Sequence, residues 1–349
     1  MNSKMALYAL GAAVLFGLST PAAKLLVGTV SPWILAGTLY IGAGGGLALV
    51  RASMRLRGVR TEAALTRRDV PWLAAAIVAG GVAGPVLLLI GLQHTDASSA
   101  SLLLTLEGVA TALLAWFLFR ENFDRRIAIG MAFILAGAIV LNWRSGFQSS
   151  ELIGPLAIVS ACLAWALDNN LTRKVSLSDP VQIAMVKGLV AGPVSLGIGL
   201  LVGDALPSWS LFAAGAAVGF LGYGVSLALF VFALRHLGTA RTGAYFSTAP
   251  FIGALVAIPL FGDGLSAQLI AAGCLMGIGV WLHLTERHEH EHRHDRVEHE
   301  HNHVHDDAHH DHQHGDYVAP GVAHSHRHVH TQRRHSHAHT PDSHHRHSH

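Results

Sequence analysis

Long apolar runs alternate with short polar segments over residues 1–285, and residues 286–349 contain no such run. A transmembrane helix needs about 20 apolar residues to cross about 30 Å of hydrocarbon. Runs of this length occupy residues 5–27, 32–51, 71–92, 97–119, 126–143, 152–173, 181–203, 209–234, 240–262 and 267–285. The pattern therefore predicts an all-α membrane protein with ten transmembrane helices.

The composition agrees with this pattern and narrows the class of protein. Of the residues, 51% are hydrophobic and 13% are charged, against about 25% charged in soluble domains. No phosphate-binding GxxxxGK[ST] loop and no HExxH or GxSxG motif is present, so neither an ATPase nor an enzyme is indicated. Cys162 and Cys274 lie inside apolar runs, which argues against a disulfide framework. We expect no required cofactor and no nucleic-acid partner.

Basic residues in the loops predict the orientation of the chain in the membrane. The alternate loops that follow predicted spans 2, 4, 6 and 8 hold 13 Lys and Arg residues, whereas the opposite loops hold Arg144 alone. Positive residues favour the cytoplasmic side. The sequence therefore predicts a multi-pass protein of the cell (inner) membrane with both termini in the cytoplasm.

An internal repeat divides the predicted spans into two sets of five. Residues 91–122 align without a gap over residues 233–264, at an offset of 142. Earlier in each half the offset is 149, and residues 16–24 align weakly over residues 165–173. We therefore predict one five-helix repeat in 1–145 and a second in 150–285. Because five is an odd number, the second repeat enters the membrane inverted, which is typical of secondary carriers whose substrate site lies where the halves meet.

The repeated segments carry a family resemblance. GLQHTDASSASLL leads to FLFREN in the first half, and ALRHLGTARTGAY and TAPFIG lead to PLFGDG in the second. This pattern resembles the drug/metabolite transporter superfamily, specifically its EamA-type ten-helix carriers. The family usually has a proline early in the fourth helix of each half; here Pro250 keeps it and the first half has Glu107 in LEGV. Over residues 5–285 the resemblance implies the fold and transport, usually the export of small metabolites in bacteria.

Four ionisable side chains lie inside the predicted spans and are candidate functional groups, because charge in a bilayer is costly. Lys24 is near the end of its span and can reach the interface, which favours a structural role. Glu107 lies close to the bilayer centre and is our main candidate for a proton-coupling group or a cation ligand. The alternative is a permanently protonated acid hydrogen-bonded between helices.

Asp168 and Lys187 lie at equal predicted depths, about 8–9 Å below the cytoplasmic surface, on consecutive spans. We expect them to pair, either as a structural ion pair or as a cytoplasmic gate that opens when substrate arrives. Both alternatives remain open.

Two polar interruptions occupy matched positions in the first helix of each half. Asp168, Asn169 and Asn170 interrupt the sixth span, and Ser19, Thr20 and Pro21 interrupt the first. Interrupted helices at corresponding positions indicate a carrier's binding site. Thr20, Asn169 and Asn170 are therefore candidate substrate contacts. The aromatic rings of Trp165, Tyr223 and Tyr245 are further candidates to line the cavity, with ordinary packing as the alternative.

The tail, residues 286–349, contains 23 of the 26 histidines and is too polar to bury a core, so its composition predicts disorder. Histidine alternating with carboxylate suits Zn²⁺, Ni²⁺, Co²⁺ or Cu²⁺, although no fixed ligand spacing appears. The alternatives are a solvated extension or a pH-responsive polyelectrolyte. The candidate metal ligands are His288, His290, His292, His294, His299, His301, His303 and His305.

The sequence thus predicts a secondary transporter that exports a small polar metabolite by alternating access. One alternative is a transition-metal exporter for Ni, Co or Zn with a metal-sensing histidine tail. Another is a membrane anchor for a metal-buffering tail. The expected partners are the lipid bilayer, a small-molecule substrate and either protons or metal ions, and a homodimer is compatible with the pattern.

Overall fold

Helix occupies each of the ten predicted spans. The computed structural model describes residues 2–57, 64–119, 125–143, 152–175, 178–285, 289–293, 297–303, 324–330 and 334–338. Its helices are α1 (Asn2–Leu26), α2 (Pro32–Leu56), α3 (Val70–Ala76), α4 (Gly84–His94), α5 (Ala97–Leu103), α6 (Leu106–Phe119), α7 (Arg125–Asn142), α8 (Ile153–Arg173), α9 (Pro180–Val202), α10 (Trp209–Gly219), α11 (Ser226–Phe246), α12 (Ala249–Phe261) and α13 (Ala267–Leu284). Two π-helical segments, π1 (Ile77–Ala83) and π2 (Phe220–Val225), connect α3 to α4 and α10 to α11.

Seven helical segments within the described ranges are long and apolar enough to cross a membrane. Two shorter apolar helices, within α12 and α13, extend this set. The remaining span is α8, whose 21 residues include the polar run Asp168-Asn169-Asn170. The predicted all-α membrane fold of ten spans is confirmed.

The third span of each half contains a π-helical segment at the same place. Gly80 in π1 and Gly222 in π2 are equivalent under the offset of 142 found in the sequence. A π-helical segment inside an α-helix widens the turn and occurs frequently at functional sites. The matched segments therefore point to the interior where the halves meet.

The fourth span of each half is broken by a turn. In the first half the break lies at Leu104 and Thr105, and the Thr105 hydroxyl donates a hydrogen bond of 2.7 Å to the Leu102 carbonyl. In the second half the Thr248 hydroxyl donates to the Tyr245 carbonyl at 2.6 Å. These side-chain bonds compete with the backbone hydrogen bonds of the helix. In each half one helix ends at the break, and the next begins three residues later.

The matched breaks correct the repeat alignment by one residue. Glu107 and Pro250 are both the second residue of the helix that follows the break, α6 and α12 respectively. The ungapped sequence alignment instead places Glu107 opposite Ala249. Glu107 thus takes the place of a helix-starting proline, a residue type favoured at this position because it needs no backbone N–H.

The predicted loop between spans 8 and 9 is wrong, because α11 continues as one helix from Ser226 to Phe246. Its sequence contains no proline and no run of turn residues to end a helix. The first half differs at the same place. There Thr95 is extended after α4, and Asp96 precedes α5 in an extended conformation.

The two halves are intertwined. The most extensive helix contacts join α2 to α9, α7 to α13, α1 to α11 and α4 to α8, and each pairs one helix from either half. Glycines allow α2 and α9 to approach: a Cβ added at Gly37 would lie 2.8 Å from the Leu196 nitrogen. Close backbone approach at small residues is the usual basis of helix association in membranes.

Polar contacts fasten both ends of the α2–α9 pair. At the predicted cytoplasmic end, Arg51 on α2 forms a buried ion pair of 2.6 Å with Asp179, which caps the start of α9. At the opposite end, the hydroxyl of Ser31, which caps the start of α2, donates a hydrogen bond of 2.6 Å to Asp204, which follows α9. Each helix start is therefore tied to the end of the other helix.

The described residues of the tail form four short strands. They are β1 (Glu289–Arg293), β2 (Val297–His303), β3 (His324–His330) and β4 (Arg334–Ala338). β1 pairs antiparallel with β4, and β2 with β3, so that His299 is opposite His328 and His290 opposite His337. The alternation of histidine with other residues has the two-residue period of a strand. His288, His294 and His305 lie outside the described residues.

Candidate functional site

Asp168 and Lys187 form a buried ion pair between α8 and α9. The Lys187 Nζ lies 2.5 Å from Asp168 Oδ1 and 2.6 Å from Oδ2. Thr172, one turn further along α8, donates to Asp168 Oδ1 at 2.8 Å and accepts from Lys187 at 3.3 Å. The predicted pairing of these two residues is confirmed, and both charges are satisfied within it.

The backbone of π1 closes against this ion pair at Gly80. A Cβ added at Gly80 would overlap the Asp168 carboxylate, so only glycine fits there. The Gly80 carbonyl accepts hydrogen bonds from the Tyr40 hydroxyl at 2.8 Å and from Trp165 Nε1 at 3.0 Å. In π1 the Gly84 N–H bonds to Ala79 instead of Gly80, which leaves the Gly80 carbonyl for these side chains.

An aromatic cluster lies beside this point and draws rings from both halves. Phe16 on α1 lies 6.2 Å from Trp165, 6.0 Å from Tyr223 and 5.2 Å from Phe246, measured between ring centroids. Tyr40 on α2 lies 5.6 Å from Tyr223. Phe16 and Trp165 are equivalent under the offset of 149. The cluster therefore lies on the axis that relates the repeats.

The side chain of Glu107 is hydrogen-bonded to α8. The Asn169 side-chain amide donates to Glu107 Oε1 at 2.8 Å and lies 3.4 Å from the Thr111 hydroxyl. Asn170 turns the other way, donating to the Ala166 carbonyl at 2.8 Å and to the Thr111 carbonyl at 3.3 Å. Both asparagines thus bind the helix that carries Glu107, so α6 and α8 are joined by polar contacts.

Glu107 is half-buried and Asn169 is exposed. Glu107 interacts electrostatically with Asp168, Tyr40 and Tyr223, so it lies close to the ion pair and the aromatic cluster. A carboxylate facing lipid is costly, and such groups line protein interiors or water-filled cavities. Glu107 and Asn169 are therefore the accessible polar side chains between α6 and α8 that lie nearest to the ion pair.

The other sequence-predicted site residues lie at different distances from this cluster. Thr20 is buried on α1, next to Ser19, whose hydroxyl interacts with Tyr223. Tyr245 packs instead against Ala9 and Ala233 in a separate small core. Lys24, for which a structural role is predicted, donates hydrogen bonds from its ammonium to the carbonyl of Leu92 and to that of Thr95 at 3.0 Å.

Several residues of the cluster were not predicted from the sequence. Phe16, Tyr40, Phe246, Gly80 and Thr111 carry no charge, and in an apolar helix they resemble ordinary packing residues. A signal was available for Phe16, because the repeat aligns it with Trp165. The signal for Gly80 is weaker: it lies within a run of small residues in a span.

Metal-binding clusters are absent from the part of the chain whose side chains are described. There, no group of three or more His, Cys, Asp or Glu residues lies close enough together to hold a metal ion. The side chains of the tail histidines lie outside that part.

Known proteins are similar to this chain over its helical part. An uncharacterized transporter of Methanothermobacter thermautotrophicus is 29% identical over 287 residues, covering 78% of this chain and 83% of that protein. The uncharacterized inner membrane transporter YedA of Escherichia coli K12 is 25% identical, covering 70% and 79%. A probable terminal-alkyne amino-acid exporter of Streptantibioticus cattleyicolor is 28% identical, covering 64% and 75%.

A solved crystal structure supports the fold. It superimposes with a TM-score of 0.60 at 20% identity and covers 80% of this chain and 96% of its own.

The model of the EamA-like transporter family matches residues 3–143 and again residues 152–285. The chain therefore belongs to the EamA-like transporter family and is a multi-pass membrane transporter.

Proposed function

We propose that this transporter is a secondary carrier that exports a small polar metabolite by alternating access. The observation that carries the proposal is the central cluster, in which Glu107 and Phe16 of the first half meet Trp165 and Asp168 of the second. A carrier's substrate site lies where its repeats meet. The export direction is supported by the relative from Streptantibioticus cattleyicolor that is named as an exporter.

Alternating access requires one half to move against the other around the bound substrate. The broken fourth spans and the π-helical third spans supply places where a helix can bend without losing all its hydrogen bonds. The α2–α9 pair supplies the closely packed contact around which the halves rock. Its end contacts, Arg51–Asp179 and Ser31–Asp204, lie on opposite sides of the membrane in the predicted topology, where they would tighten and loosen in alternation.

Glu107 is the group that would distinguish the two orientations of the carrier. Its carboxylate is held at the start of α6 by Asn169 and is partly accessible. Rocking changes its exposure to water, and with it the relative free energy of the charged and the protonated forms. A carrier coupled to protons or to a cationic substrate needs such a group.

The tail would modulate transport without forming the path. It follows the second family match, which ends at residue 285, and its histidines suit Zn²⁺, Ni²⁺, Co²⁺ or Cu²⁺. Both termini would face the cytoplasm, where the tail meets cytosolic metal ions.

The direct test uses inside-out membrane vesicles from cells that express the chain. Accumulation of radiolabelled amino acids, amines and divalent metal ions is compared with vesicles from cells carrying the empty vector. Gradient-dependent accumulation of an organic metabolite supports the proposal. Accumulation of nickel, cobalt or zinc alone would replace it with metal export, and no accumulation of any compound would contradict carrier function.

A further inference from the structure

The charged side chains at and near the central cluster differ in whether an opposite charge or a hydrogen-bond acceptor balances them. Lys187 is held by both oxygens of Asp168. Lys24 lies in the last turn of α1, where it is bound to backbone carbonyls. The Glu107 carboxylate accepts a hydrogen bond from Asn169, and within the described side chains it forms no ion pair. Among the described side chains of the cluster, the Glu107 carboxylate is therefore the one without an opposite charge.

Aromatic rings bound the same space. Phe16 lies within 6.2 Å of three other rings of the cluster. One of these rings, Trp165, lies one turn before Asn169 on α8, and Asn169 donates a hydrogen bond to Glu107. The faces of aromatic rings attract cations, most strongly where water is excluded. A carboxylate on the same side of α8 as an aromatic cluster can bind an ammonium group while the rings contact its apolar body.

The backbone nearby offers little to an anion. Glu107 is the second residue of α6, so a carboxylate already lies at that helix start, where an anion would otherwise bind. The matching start of α12 has Pro250 at its second position, which has no N–H to donate. Among the described side chains, a substrate carboxylate would therefore find neither an unpaired cationic group nor a complete helix start.

We infer that the substrate is an organic monocation, a primary amine or ammonium compound whose charged nitrogen binds between Glu107 and the rings of Phe16, Trp165 and Tyr223. This inference rests on the proposed carrier function and specifies its substrate class. It separates amines from zwitterionic amino acids, since the described side chains of this site offer no partner for the carboxylate of a zwitterion.

The experiment measures binding, which needs no gradient. Purified full-length protein in a neutral detergent is titrated calorimetrically with four probes of similar size: phenethylamine, 3-phenylpropanol, 3-phenylpropionate and phenylalanine. We expect phenethylamine to bind at least about tenfold more tightly than the other three, since a hydrogen bond to a charged group commonly contributes a factor of ten or more. Equal or tighter binding of phenylalanine or phenylpropionate would overturn the inference.

Variants assign that preference to the site. Glu107→Gln should weaken phenethylamine binding about ten- to hundredfold and leave phenylpropanol binding unchanged, whereas Glu107→Asp should keep the order of the four probes. Asp69→Asn removes a carboxylate from the segment before α3 and is the matched control, expected to bind as the parent protein does. Retained amine preference in Glu107→Gln would contradict the inference.

A second variant covers the case in which Glu107→Gln does not insert. Phe16→Leu keeps an apolar side chain and removes a ring face, so phenethylamine should bind about threefold more weakly while phenylpropanol is little affected. An equal loss for both probes counts against cation binding. If the protein transports zwitterions in preference to amines, this inference fails and the carrier function stands. If it binds amines but transports nothing, the carrier function fails and the binding preference stands.

Discussion

Asp168 and Lys187 lie 19 residues apart on consecutive helices and meet in a two-oxygen ion pair, at 2.5 and 2.6 Å, that is buried beneath the backbone of Gly80. Thr172 bonds to both partners. Burial of two charges has a desolvation cost that their attraction offsets only when the geometry is good. The pair is therefore sensitive to the loss of either partner and to any displacement of the π1 backbone.

Removing one charge should destabilise the protein more than removing both. Asp168→Asn leaves Lys187 buried without a counter-charge, and we expect a loss of about 3–5 kcal/mol, whereas Asp168→Asn with Lys187→Met should recover most of it. Thermal unfolding in detergent measures both variants beside the parent. A double variant no more stable than Asp168→Asn would show that the pair is not the main reason for the loss.

Gly80 and its repeat equivalent Gly222 should both be intolerant of a methyl group. Gly80→Ala would overlap the Asp168 carboxylate and Gly222→Ala the Ser19 side chain, so each should cost about 1–3 kcal/mol through overpacking. Gly45 has no neighbour within 4 Å of an added Cβ, and Gly45→Ala is the matched control with little or no loss. Unchanged thermal stability in Gly80→Ala would contradict the packing described here.

The loops should label according to the charge distribution. Single cysteines placed in residues 51–70 or in the tail should resist a membrane-impermeant thiol reagent in intact cells, because 13 basic residues favour the cytoplasm for these loops. A single cysteine placed in residues 144–150 should react, and lysed cells provide the accessibility control. Labelling of the 51–70 loop from outside would reverse the orientation.

The tail should be dispensable for transport. Truncation after Glu286 removes a segment that lies beyond the second family match, so the shortened protein should insert and transport at a similar rate. Its response to added zinc or nickel should weaken, since histidine provides the ligands that these ions prefer. Transport that disappears at matched membrane levels of the truncated protein would place the tail in the transport path.

The sequence was sufficient for the helices and for the ion pair, because both follow from strong local signals. Apolar length predicts the spans, and equal depth on neighbouring helices predicts the meeting of Asp168 and Lys187. The continuous α11 was missed because Arg235 and Arg241 interrupt the apolar run, whereas a helix ends only where its own residues stop it.

The aromatic cluster and the role of Gly80 depend on packing between distant helices, which sequence periodicity does not contain. Tyr40 and Trp165 converge on one carbonyl from different halves, and only the fold brings them together. Tyr245 shows the opposite error: an aromatic residue next to the break was expected at the site, yet the next residue, Phe246, is the one in the cluster.

The most direct test of the carrier mechanism compares Glu107→Gln with the parent protein in inside-out vesicles at matched membrane levels. Glutamine keeps the size of the side chain and its bond partner Asn169 while removing the titratable charge. We expect the parent protein to accumulate a labelled metabolite against its gradient and Glu107→Gln to insert normally yet lose accumulation and its pH dependence. Parent-like accumulation and pH dependence in Glu107→Gln would contradict the role of Glu107 in this mechanism.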